Sequence, residues 1–132
     1  MILTFKGLSY AECRRIIGFT TEQWSVFIGA YKSILFTFRG LWKISNEVFI
    51  KTVERVYLQD SAYRKEIHLG IIDGLEKTPI SIRKLEELTN HLFVAGEYFA
   101  LKRKLSQIEN FVLLFNSFTK YDLCRYWQEL EV

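Results

Sequence analysis

Proline occurs once in this chain, at Pro79, and the seven glycines are scattered singly at 7, 18, 29, 40, 70, 74 and 96. That is too little turn chemistry for a loop-rich all-β fold. It is also too dispersed for a backbone nest around a phosphate, and neither GxxxxGK[ST] nor GxGxxG occurs. Cys13 and Cys124 lie in opposite halves, with no CxxC and no Cys/His ligand spacing. They read as reduced thiols, and the expected setting is the cytoplasm. Apolar runs stop at about the length of Phe111–Phe115, far short of a membrane span. The opening MILTFKGLSY lacks the apolar stretch and small-residue site of a signal peptide. It starts abruptly on apolar residues, so the chain is expected to be a fragment of a larger protein. HExxH and acidic calcium-loop patterns are missing too.

Charge of one sign is equally scarce. The net charge is +3, with ten Lys/Arg against six Asp/Glu in residues 1–66 and eight against nine in 67–132. The basic excess of the first half falls short of the stripe a dedicated nucleic-acid binder carries. The one three-residue basic run, Lys102-Arg103-Lys104, is short for a polyanion site and reads as the solvated side of a helix. His68 and His91 are the only histidines, far apart and without a neighbouring nucleophile, so each is expected to pack or pair locally. Glu86-Glu87 point about 100° apart on a helix and form no dyad; a solvated face is expected. No catalytic, cofactor-binding or metal-ligating residue can be nominated. The expectation is a protein that is not an enzyme, with no cofactor and no metal.

What is present is apolar spacing. Hydrophobic residues make up 49% and aromatics 16%, enough to fill a core. The organising stretch is Leu85–Leu105. Leu85, Leu88, Leu92 and Ala95 form one helical stripe, Tyr98, Leu101 and Leu105 a second, and Gly96 separates them as a helix stop. Such a hairpin cannot bury its own stripe and must stack on neighbours.

Upstream, residues 1–8 form an extended opening, and Ser9 with Glu12 makes a capping box for a helix ending at Gly18. Thr21 is expected to cap a helix over Glu22–Ile34. Leu35–Phe38 and Leu41–Ile44 around Arg39-Gly40 predict a β-hairpin; the competing reading continues the helix to Phe38. Ser45 or Asn46 opens a helix with Val48, Phe49, Thr52, Val53, Val56 and Tyr57 along one stripe. Asp60 or Ser61 opens another, with Tyr63, Ile67, Ile71 and Leu75 inward. The rhythm pauses over Gly74–Pro79. Beyond the central hairpin, Ile108–Phe115 and Phe118–Leu130 predict two more helices, the last exposing a Trp127–Leu130 edge suited to self-association.

The fold expected is mainly α: a truncated winged helix with a small β-hairpin (1–76), then tetratricopeptide-like antiparallel helical hairpins (77–132). A protein-interaction or regulatory scaffold follows. The alternative is a DNA-binding winged helix with a helical dimerisation tail. Its reading helix would expose Glu22, Gln23, Ser25 and Lys32, one cation against one anion, so nucleic acid is disfavoured.

The residues also resemble the winged-helix segment that follows the ATPase core in nephrocystin-like NACHT proteins. The matches are Gly7-Leu8-Ser9, Glu12, Ile16-Ile17-Gly18, Trp24, Gly40-Leu41, Ser45 and Tyr57-Leu58. Arg64 and His68-Leu69 follow, then Leu85–Leu88 with Leu92–Gly96, then Tyr121-Asp122-Leu123 and Tyr126-Trp127. The residues also resemble GNN-type tetratricopeptide-repeat proteins. Gln23, Asn46 and Thr89 depart from that pattern. The resemblance implies a hinge and scaffold that packs on a parent protein's nucleotide domain and offers repeats to protein partners. It carries over no ATPase residue, because the Walker lysine lies outside this chain.

Overall fold

The computed structural model describes residues 1–4, 6–117 and 120–131. Among these the chain is mainly helical, with a small antiparallel sheet. Its elements are β1 (Leu8–Ser9), α1 (Tyr10–Ile17), α2 (Thr21–Tyr31), β2 (Leu35–Phe38), β3 (Leu41–Ile44), α3 (Glu47–Tyr57), α4 (Ser61–Glu76), α5 (Ile82–Val94), α6 (Tyr98–Leu105), α7 (Ile108–Phe115) and α8 (Lys120–Leu130). Phe118, the expected start of the last helix, lies outside the described residues.

Side-chain caps set most helix starts. Ser9 Oγ accepts from the Glu12 amide while the Glu12 carboxylate accepts from the Ser9 amide, the reciprocal box expected for α1. Asn46 caps α3 and Asp60 caps α4, each accepting a first-turn N–H. For α2 the cap is Thr20 rather than Thr21. Gln23 stands three residues after Thr20, and the two exchange bonds of 2.9 and 3.2 Å. The helix also stops at Tyr31, short of Ile34.

The hairpin forms where expected. Phe38 pairs with Leu41 across Arg39-Gly40, whose φ values of 51° and 77° give the double left-handed turn that suits strand twist. A third strand was not foreseen: β1 pairs with β3, giving the order β1-β3-β2 and leaving β2 at an edge.

The hydrophobic core lies in the second half and centres on α5. Leu85, Leu88 and Leu92 meet Leu101 and Leu105 of α6, Leu114 of α7, and Leu123 and Tyr126 of α8. Ile71 and Leu75 of α4 belong to the same cluster, so packing continues across the turn at 77–81. The α5–α6 junction ends in the expected manner. Glu97 N–H donates to Leu92 O at 2.9 Å and Gly96 N–H to Phe93 O at 3.1 Å, with Gly96 at φ 73°. Gly74 lets α4 approach α1, because a Cβ there would stand 2.3 Å from Ile16 Cγ1.

The first half packs differently. Tyr10, Phe19, Trp24, Phe27, Tyr31, Trp42 and Phe49 form a chain of ring contacts with centroids 5.0–6.4 Å apart. No residue of α2 or α3 is fully buried. The predicted inward stripes are correspondingly thinner: Val48, Val56 and Tyr57 of α3 and Tyr63 of α4 are exposed. Phe49 and Val53 of the expected α3 stripe are half-buried, and Ile50 joins them.

Candidate functional site

The two histidines are neighbours. In an antiparallel α4–α5 hairpin, residues equally far from the Pro79–Ile80 bond come level, and His68 and His91 are such a pair. Their Nδ1 atoms lie 2.7 Å apart, so one ring donates and the other accepts. His91 Nε2 lies 3.3 Å from Glu87 Oε2, one turn back on the same helix. The cluster is sealed: His91 and Glu87 are 0% exposed and His68 4%. Burial, then the adjacent His91 and Arg64, pushes the His68 pKa down to about 4. The hydrogen-bonded rings lie behind no opening and join α4 to α5.

Glu86 and Glu87 correct the expectation of a solvated face. Both are buried because the N-terminal segment crosses α5 above them. Lys6 Nζ pairs with Glu86, and the Lys6 amide donates to Glu87. Arg83 on the same helix pairs with Glu12 of α1. These ion pairs tie the first half of the chain to α5.

The remaining polar candidates stay apart. Lys102 and Arg103 are exposed, and Lys104 pairs with Glu76 at 2.9 Å, as suits the outer side of a helix. On α2, Glu22, Gln23, Ser25 and Lys32 are exposed, while Trp24 and Phe27 turn to the ring chain. Cys13 is buried and Cys124 exposed, both free thiols; burial raises the Cys13 pKa to about 11, leaving it unreactive. Among the described residues no group of metal-ligating side chains comes together, and no helix is long and apolar enough to cross a membrane.

Two surfaces stand out. On α7, Ile108, Phe111, Val112 and Phe115 recur at i, i+3, i+4 and i+7 and are all exposed. Phe111 and Phe115 stack at 5.9 Å. The expected open edge at Trp127–Leu130 is instead partly buried against the core. The unpartnered apolar face of this end of the molecule therefore belongs to α7.

The second surface is a cleft of about 610 Å³ between the sheet and α5. Pairing of Phe36 with Lys43 and Phe38 with Leu41 puts those four on one sheet face. Lys6 and Arg83 form the opposite wall, and Arg39 sits over the Phe38 ring at 5.1 Å. No run of basic residues announces it, because its cations come from positions 6, 39, 43 and 83.

No family model matches the chain, and neither does any solved structure. A TPR repeat-containing protein of Dictyostelium discoideum is 26% identical over 110 residues. The match covers 83% of this chain and 7% of that protein. The chain thus bears a distant likeness to a tetratricopeptide-repeat protein, in keeping with a mainly helical fold of stacked hairpins.

Proposed function

We propose that the chain is a non-catalytic protein-interaction and regulatory scaffold module of the tetratricopeptide type. The observation that carries the reading is the α7 face. A helix packed into the core through Leu114 presents Ile108, Phe111, Val112 and Phe115 outward, where a further helical hairpin would bury them. The likeness to a repeat protein supports the same view.

In this proposal residues 1–76 are a truncated winged helix and 77–132 the first helical hairpins. The order β1-α1-α2-β2-β3, with β1 beside the hairpin, supports the former. The resemblance to nephrocystin-like NACHT proteins adds a parent nucleotide domain as an intramolecular partner, and the two isolated cysteines favour a cytoplasmic setting.

A second copy of the chain can stand in for the next hairpin, so the test is sedimentation equilibrium at rising concentration. The expected result is reversible self-association, abolished by Val112→Lys with Phe115→Asp at unchanged melting temperature. A wild-type chain that stays monomeric at the highest attainable concentration overturns the reading.

A further inference from the structure

We infer that the cleft between the sheet and α5 receives an acidic, extended polypeptide segment bearing an aromatic or aliphatic residue. This deepens the protein-interaction reading by naming the partner's chemistry, and it rests on that reading.

Among the described residues the cleft is lined by Lys6, Arg39, Lys43 and Arg83, with Phe36, Phe38 and Leu41, and by no carboxylate. Glu86 and Glu12 hold Lys6 and Arg83 from behind, so these two cations are positioned before any partner arrives. Arg39 on the exposed turn and Lys43 on β3 add positive charge beside the apolar floor. That is the complement of a segment whose own acidic residues flank an apolar one.

The floor is suited to such an anchor. The Phe36 and Phe38 rings are more than half exposed, lie parallel within 7°, and are 6.5 Å apart. Strand β2 forms the sheet edge, so an extended chain can approach along it. A peptide is favoured over nucleic acid by the arrangement of charge. The four cations converge on one apolar cleft from opposite walls, whereas phosphates are met by a track along a surface. The exposed side of α2 offers one cation, Lys32, against one anion, Glu22, and so does not extend such a track toward the rest of the sheet.

The probe is a fluorescein-labelled peptide of Asp and Glu with one central Trp, followed by anisotropy against the full chain. The proposal expects saturable binding that weakens with salt. Replacing the peptide's acids by Asn and Gln, or its Trp by Ser, should raise Kd about tenfold or more. Arg39→Glu with Lys43→Glu, and separately Phe38→Ser, should do the same. Arg39 and Phe38 are exposed, and thermal unfolding checks that the variants remain folded. Single-stranded oligothymidine is the competing arm. Tighter binding of the oligonucleotide, or absence of saturable peptide binding, overturns the proposal. Either outcome is separable from the self-association test, which concerns α7 and not this cleft.

Discussion

The two halves of the chain solve the packing problem with different side chains. From α4 onward the core is mainly aliphatic, with residues of α4, α6, α7 and α8 closing on the leucines of α5. Ahead of α3 it is a chain of aromatic rings touching at tilted angles, none of α2 or α3 fully buried. Leucines interdigitate and exclude water on all sides, whereas rings in a single layer keep one face at the surface. Stability should therefore be concentrated in the second half, and the first should depend on its ties to α5. Those ties are Glu12–Arg83 and Lys6–Glu86, and the close approach of α1 to α4 at Gly74 reinforces them.

Truncating the centre should have the largest effect. Leu88→Ala, at a fully buried position of α5, is expected to cost about 2–5 kcal/mol in urea unfolding. Phe27→Ala in the half-buried ring chain should cost less, although it removes the larger side chain. Equal losses would erase the distinction between the halves.

Acid should act next, through the seam between α4 and α5. The folded pKa of His68, about 4, lies below its ordinary value of 6.5. The unfolded chain takes up that proton first, so stability is full above about pH 6.5 and is lost as pH falls toward 4. The shift corresponds to roughly 3 kcal/mol. His68→Gln keeps an amide to bond His91 but cannot titrate, and should flatten the melting temperature over that window. An unchanged acid slope in the variant would assign the loss to other groups.

The α1–α4 contact offers a smaller effect. Gly74→Ala gains about 1 kcal/mol of helix propensity but forces Ile16 aside at about 1–3 kcal/mol, for a net loss of about 1 kcal/mol. Combining it with Ile16→Ala should cost less than the sum of the single changes, because the clash disappears. Smallest of all is the exposed Glu47–Lys51 pair on α3. Its removal should change stability by no more than about 0.5 kcal/mol. A larger change there would show that the first half leans on its surface charges.

Local features were legible in the sequence because they depend on near neighbours. Arg39-Gly40 between two β-rich runs marked the hairpin, Ser9 and Glu12 the first helix, and Gly96 the break before α6. Leu85, Leu88 and Leu92 showed the buried stripe by spacing alone. What was missed depends on partners distant in the chain. Glu86 and Glu87 looked solvated because nothing nearby shows that Lys6 reaches across to α5. The pairing of β1 with β3 was hidden for the same reason. His68 and His91 stand equally far from the Pro79–Ile80 bond, which matches them once α4 and α5 form an antiparallel hairpin, but a division at that point puts them in separate units. The basic cleft gives no linear signal, since its lining residues come from β2, β3, the turn between them, α5 and the segment before β1.

Native-state hydrogen exchange tests the central claim most directly, because it reads opening energies residue by residue. The account predicts that amides of α5, around Leu88 and Leu92, exchange only through global unfolding. Those of α2 and α3 should exchange through cheaper local opening. Protection of α2 equal to that of α5 would contradict it.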